Sequence, residues 1–361
     1  MVFSYPFANF APMERQCNIF FAALFSLVSM GHTAAFGQEQ DGKSLLPQIN
    51  GTLRSKYEYQ TSEGEGRFEV RNARISVSGN VSPDISYKAE IDLCDEGNIK
   101  MLDAYTRIKA WNAAQLTMGQ MRVPFTIDAH RSPHQQYFAN RSFIAKQVGN
   151  VRDVGAAVAY DMNVSFPIRI EAGLFNGSGL TNQKDFWTDN VNFSAKVQCF
   201  LPKGFNLTLS TQKIKPGEVG IMMYDAGAYY HAHGWHIEAE YLLKHYAHKA
   251  FRNVHAMDAF ASYDFALNGK TVKYITPLVR YDYMSDHSDG QAYADPKDET
   301  LTRLITNDSQ RSRITGGLTL SFRKPFVSDL RLNYEKYFYR NGAVVKPSEH
   351  DKIVVEIMTR F

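Results

Sequence analysis

With 361 residues, 44% of them hydrophobic and 13% aromatic, the chain is too apolar to be disordered and long enough for two ordinary domains or one large barrel. A net charge of +3, from 40 basic against 37 acidic side chains, excludes a nucleic-acid binder driven by bulk charge. Three cysteines cannot all pair and none has metal-knuckle spacing, so Cys94 and Cys199 are expected as unpaired small apolar residues.

The strongest apolar run, Ile19–Val28, follows Arg15 and precedes the small residues of Ala34-Ala35-Phe36-Gly37. This is the order of an export signal, assigned to residues 1–37 with Met13 as an alternative start. Cys17 precedes the run instead of closing it, which is the wrong place for a lipoprotein acceptor. Beyond residue 37 no stretch reaches the ~18 apolar residues a spanning helix needs, and residues 38–361 are expected to form one domain.

From residue 48 onward the dominant period is two, the signature of strands with unlike faces. Ile49, Gly51, Leu53, Ser55, Tyr57 and Tyr59 oppose Asn50, Thr52, Arg54, Lys56 and Glu58. The contrast recurs in Ile85–Leu93, in Val191–Leu201 and in Ile314–Phe322. Segments of this kind start near residues 48, 72, 84, 101, 114, 151, 167, 190, 205, 221, 234, 255, 271, 311, 329 and 350, which predicts about sixteen strands of ~10 residues.

Tight connections such as Ser82-Pro83, Pro202-Lys203-Gly204 and Gly234 alternate with long polar ones near 124–150, 177–189 and 284–310. Short turns on one rim and long loops on the other suit a membrane barrel, whereas a stacked sandwich needs no such asymmetry. Tyr and Phe near segment ends fit a headgroup boundary. The chain closes on an alternating strand that ends in Phe361, as does the assembly signal of outer-membrane barrels. The predicted fold class is therefore an all-β transmembrane antiparallel barrel in the outer membrane of a Gram-negative bacterium, in contact with lipid and lipopolysaccharide and inserted by the barrel assembly machinery.

Two stretches resemble the phosphate-selective porin O and P family. Phe68–Gly79 is similar to its Arg-rich second strand. Asp103-Ala104-Tyr105, Met118–Phe125 with its Gly-Gln-x-x-x-Pro-Phe pattern, Arg141-Ser142 and Arg152-Asp153-Val154-Gly155 follow in the family's order. The resemblance covers about residues 67–160 and implies a sixteen-stranded homotrimeric porin with its third loop folded into each pore. Asn72 departs from the pattern, standing where the family often has a second adjacent Arg. Inward positions also carry Glu90, Asp92, Glu238, Glu240, Glu335 and Glu356, which interrupt a cationic track. The expected solutes are accordingly small hydrophilic molecules with anions preferred, phosphate and other oxyanions among them.

A passive pore selects by width and by lining charge. The loop at 124–150 and its flanks are the expected constriction, where Arg122, Arg131, Arg141, Lys146 and Arg152 face Asp128 and Asp153. Arg suits planar oxyanions because its fork donates two hydrogen bonds. Arg54, Lys56, Arg74, Lys88, Arg107 and Lys109 are expected to add one cationic wall.

Other chemistry has little support. His231, His233 and His236 surround Gly234 and are read as rim histidines, with no metal or other cofactor expected. No His-Glu-x-x-His, Gly-x-Ser-x-Gly or phosphate-cradling Gly-Lys motif is present, and rings and charges fall on opposite faces, unlike a nucleic-acid stacking platform. An outer-membrane barrel enzyme of the lipase kind would need a nucleophile and base on the outward rim. A structural or adhesin barrel would have a plugged lumen with charges neutralised in pairs. A transport pore is the expected function, and no enzyme.

Overall fold

Alternation of this kind can satisfy every backbone donor and acceptor inside lipid only if the sheet closes on itself. The computed structural model describes residues 46–361 apart from 96, 112, 148–150, 181–182, 297 and 324–326. The expected export signal lies outside the described residues. Residues 47–361 form one unit built on a single large sheet.

Among the described residues the sheet is an antiparallel meander of sixteen strands. In order they are β1 (Gln48–Gln60), β2 (Glu65–Asn80), β3 (Ile85–Asp95), β4 (Asn98–Trp111), β5 (Ala114–Arg122), β6 (Arg152–Asn163), β7 (Pro167–Phe175) and β8 (Asn192–Phe200). They continue as β9 (Phe205–Ile214), β10 (Ile221–Ala232), β11 (Trp235–Tyr246), β12 (Val254–Tyr263, resumed at Phe265–Ala266), β13 (Val272–Met284), β14 (Arg311–Phe322), β15 (Val327–Tyr339) and β16 (Lys352–Arg360). Pairing of β1 with β16, from Thr52↔Arg360 to Gln60↔Lys352, closes the barrel. A separate hairpin, Ala292–Asp295 with Asp298–Leu304, lies in the loop after β13.

All sixteen predicted segments appear, with one start displaced. The second strand begins at Glu65, not near 72, because Arg54 pairs with Asn72 while Ser55 pairs with Val70. Arg71 is therefore an extra residue, and this bulge reverses the phase of the alternation within one strand.

The two faces separate as their composition demands. Leu53 is 49% exposed on the outside, whereas Thr52 and Arg54 on either side of it are 7% and 2% exposed within the lumen. Aromatic pairs cluster on the outer face near the short turns: Phe205 and Tyr230 lie 4.8 Å apart, Trp235 and Tyr263 4.8 Å, and Tyr263 and Phe265 4.6 Å. Amphipathic rings at that level form the girdle of a membrane barrel.

Turns at 81–84, 164–166, 201–204, 233–234 and 267–271 share the rim where the barrel begins and ends. At the tightest, His233 and Gly234 both take positive φ (54° and 83°), as a two-residue hairpin turn requires. The opposite rim carries the long connections at 123–151, 176–191, 285–310 and 340–351. Cys94 and Cys199 are unpaired.

Candidate functional site: a lumen crossed by the third loop

The connection at 123–151 turns back into the barrel because the inner wall supplies partners for its backbone. Val123 N–H donates to the Val151 carbonyl (3.0 Å) and closes its base. Thr126 is held in the left-handed region, at φ 53°, which is unfavourable for a β-branched residue. Ser210 Oγ accepts from its N–H (3.0 Å) and Lys196 Nζ donates to its carbonyl (2.9 Å), so two neighbouring strands fix the kink. The Glu240 carboxylate accepts from the next two amides, Ile127 and Asp128.

Two arginines hold the following turn from its concave side. Arg122 donates to the carbonyls of His130 (2.9 Å) and Arg131 (2.8 Å), and Arg141 to those of Asp128 (2.7 Å) and Arg131 (2.8 Å). Asp128 accepts from Ser142 through both N–H (3.1 Å) and Oγ (2.8 Å). Burial pushes the Asp128 carboxyl up, but Arg131 and Arg141 outweigh it and hold the group at about 2. Burial lowers Arg141 to about 10, which leaves it charged at neutral pH.

Further along, the loop reaches β1, β13 and β15. Arg54 donates to Gln136 Oε1 and the Ala139 carbonyl (both 2.7 Å), Asn333 accepts from Ala139 N–H (2.8 Å), and Arg280 donates to the Asn140 carbonyl (3.1 Å). A short helix, α1 (Phe143–Gln147), then packs on apolar residues that face inward: Ile214, Ile221, Met223, Leu242, Val254, Ala256 and Met284. Phe143 and Ile144 are 1% and 0% exposed there, each contributing roughly 1.5–3 kcal/mol of burial. Arg311 and Arg313 stack over the Phe143 ring at 4.6 and 4.8 Å.

The predicted constriction cations meet more carboxylates than Asp128 and Asp153. Arg131 is paired with Glu238, Arg152 with Asp103 (2.7 Å) and Glu90 (3.3 Å), and Lys146 with Glu349 (3.9 Å). Asp153 instead accepts from the backbone of Gly177 (2.8 Å).

Among the expected lining residues, Arg54 meets Glu356 (3.0 Å), Lys56 meets Glu58 (2.8 Å) and Arg74 meets Asp92 (2.8 Å). Lys88 bridges Glu90 (2.6 Å) and Asp103 (2.7 Å). Arg107 donates to Thr117 Oγ1 (3.1 Å) beside the Tyr105 ring, and Lys109 is exposed near the end of β4. The inner surface is thus an alternating ladder of opposite charges.

The cations are not confined to one early wall. Arg280, Arg311, Arg313 and Arg331 are all 3% exposed or less and belong to β13–β15. Their alternate spacing at 311 and 313 was the available signal, and their buried carboxylate partners explain why charge is tolerated there: Asp282 lies 2.9 Å from Arg313 and Glu356 2.6 Å from Arg331.

Beside the β3–β7 wall the loop leaves a cavity of about 300 Å³, lined by Lys88, Arg107, Arg122 and Arg169 together with Asp103 and Glu171. Towards the short-turn rim a larger one, about 610 Å³, is bordered by Arg131, His134, Lys196, His231, His236 and Arg331.

A closed sixteen-stranded barrel with charged lumen and inward third loop is the architecture of a diffusion channel. Residues 49–214 match the family described as phosphate-selective porin O and P. Over these residues the chain is similar to that porin family, and its fold is that of an outer-membrane porin. Solved structures share the fold at low identity. OmpF of Salmonella typhi is 12% identical over 87% of this chain and 97% of its own, with a TM-score of 0.58. The anion-selective porin of Comamonas acidovorans is 11% identical over 88% and 99%, with a TM-score of 0.55. OmpT of Vibrio cholerae in its trimer form is 11% identical over 88% and 98%, with a TM-score of 0.57. No curated protein matches the sequence.

Proposed function

We propose that this porin passes small hydrophilic solutes with a preference for anions, phosphate and other oxyanions among them, along the cavity between the third loop and β3–β7. The reading rests on Arg122, which lines that cavity, together with Arg141, which binds the same turn of the loop. Both guanidinium groups converge on the carbonyls of residues 128–131, and among the described residues neither has a carboxylate at ion-pair distance. Carbonyl dipoles are their direct partners, with Asp128 and Asp103 acting only from beyond ion-pair distance, and Arg107 beside them is likewise without a paired carboxylate. Fixed cations in a narrow, partly desolvated passage favour anion entry.

A homotrimer is the proposed assembly, by likeness to porins that form trimers. Residues 1–37 are proposed as the export signal. Phe361 is proposed as the grip of the assembly machinery, and the aromatic girdle as the contact with lipid and lipopolysaccharide.

Reversal potentials in a potassium chloride gradient test the selectivity. Chloride should carry more current than potassium at low salt, and the preference should fade as screening shortens to ~3 Å near 1 M. Potassium preference at low salt overturns the anion reading and leaves a general diffusion porin.

A further inference from the structure

At the short-turn mouth of the lumen, His231 at the end of β10 faces His236 at the start of β11 across a two-residue turn. Their Nδ1 atoms lie 3.2 Å apart. The other ring nitrogen of His236, Nε2, lies 3.0 Å from Glu238 Oε2. Glu238 is engaged by both terminal nitrogens of Arg131, so its carboxylate is an acceptor and His236 Nε2 carries the proton. His236 Nδ1 is left with its lone pair directed at His231. This is the arrangement that prepares a metal ligand: a carboxylate fixes the tautomer and orientation of the imidazole through its far nitrogen.

We propose that His231 and His236 form a two-imidazole site for a divalent transition-metal cation such as Cu²⁺ or Zn²⁺, with Glu238 as the positioning residue. Two metal–nitrogen bonds of about 2.05 Å spanning that gap would enclose about 100°, close to a tetrahedral angle. The ring of His236 is stacked against Tyr137 (4.4 Å) and Phe260 (5.2 Å), which holds it in place, and it is 5% exposed. His231 is exposed to the 610 Å³ cavity, which gives a cation an open approach. Asp264 and Asp329 line that cavity and offset Arg131, Lys196 and Arg331. Among the described residues no group of three or more His, Cys, Asp and Glu side chains could hold a metal, so water would complete the coordination and the site would exchange its ion readily.

The test is a Cu²⁺ titration of the folded full-length porin, followed by electron paramagnetic resonance. At one equivalent the spectrum should show two nitrogen ligands. His231→Ala and His236→Ala, each checked for heat-modifiable migration, should lose the two-nitrogen signal, and Glu238→Gln should weaken binding roughly 10-fold or more. His255→Ala, on a side chain bound to Tyr241 near the opposite rim, should leave it intact. A wild-type spectrum without paired nitrogens, or one unchanged in folded His231→Ala, overturns the assignment. Neither result depends on whether the channel prefers anions.

Discussion

Arg131, on the third loop, and Glu238, on β11, form a two-pronged ion pair inside the lumen, with Nη1 donating to Oε1 at 2.7 Å and Nη2 to Oε2. The guanidinium also lies 5.2 Å from the Tyr137 ring and 5.8 Å from that of Phe260. The pair carries no net charge, so each half conceals the other from a passing ion. Glu238→Gln should raise the preference for chloride and Arg131→Met should lower it, while the double variant should return near wild type. Reversal potentials in a double-mutant cycle measure this directly. Arg340→Ala is the control, since Arg340 is 71% exposed on a late loop and should barely move the potential. A double variant that stays displaced from wild type would show that the loop itself has shifted.

Docking of the loop depends on an apolar seat. Phe143 and Ile144 contact inward-facing residues of β9–β13, and a buried Phe→Ala change costs about 3–5 kcal/mol. Phe143→Ala should release part of the loop, raise single-channel conductance and expose the segment to protease, while the barrel remains heat-modifiable. Unchanged conductance with intact protease resistance would mean that polar anchors such as Asn333 and Arg280 suffice.

That seat also shows what could be read from the chain and what could not. The strands were legible because outward apolar and inward polar residues differ at every step, as in Leu53 beside Arg54. Met223, Leu242 and Met284 carry no such mark: an inward apolar residue looks the same in sequence as an outward one shifted by a bulge. The β2 start was hidden for the related reason that Arg71 breaks the phase. Constriction residues were identifiable by position, but their partners were not. Arg131 meets a carboxylate 107 positions away and Arg54 one 302 positions away, and only closure of the barrel brings them together.

Acid should loosen the loop in two stages. Burial lowers His134 to about 4, with Arg360 adding to the effect, so the docked loop binds fewer protons than the released one between about 6.5 and 4. Docking therefore weakens as pH falls through that window. Asp128, held at about 2 against 3.8 for a free carboxyl, contributes about 2 kcal/mol that is fully present above about pH 4 and is lost as pH falls towards 2. Conductance noise should rise modestly below pH 6.5 and more steeply below 4. His134→Ala should weaken the first stage, the remainder belonging to His130 on the same loop, which burial also holds well below its ordinary value, and Asp128→Asn should show the loosened behaviour already at pH 7. A flat record from pH 7 to 3 in the wild type would falsify this assignment.

The closing seam offers the sharpest test of how the barrel is finished. Gly51 N–H donates to the Phe361 carbonyl (2.8 Å), and Phe361 N–H returns a bond to Gly51 (3.1 Å), so the last residue is paired to the first strand through both backbone groups. The Phe361 ring lies directly over Gly51, where an added Cβ would come within 2.1 Å of the ring carbon Cζ. The ring is 65% exposed on its other side, so it can swing away without disturbing the lumen. Gly51→Ala should therefore displace the ring while preserving the sequence of the terminal strand. Deletion of Phe361 removes both the ring and the two bonds. If the assembly machinery reads the terminal aromatic strand before closure, the deletion should reduce the amount of membrane-embedded, heat-modifiable protein more strongly than Gly51→Ala. The glycine variant should insert at near-normal yield but unfold at lower temperature, because its defect arises only once β1 and β16 meet. Equal loss of insertion in both would place the importance of Phe361 in the seam itself, and normal insertion of the deletion variant would remove its role as an assembly signal.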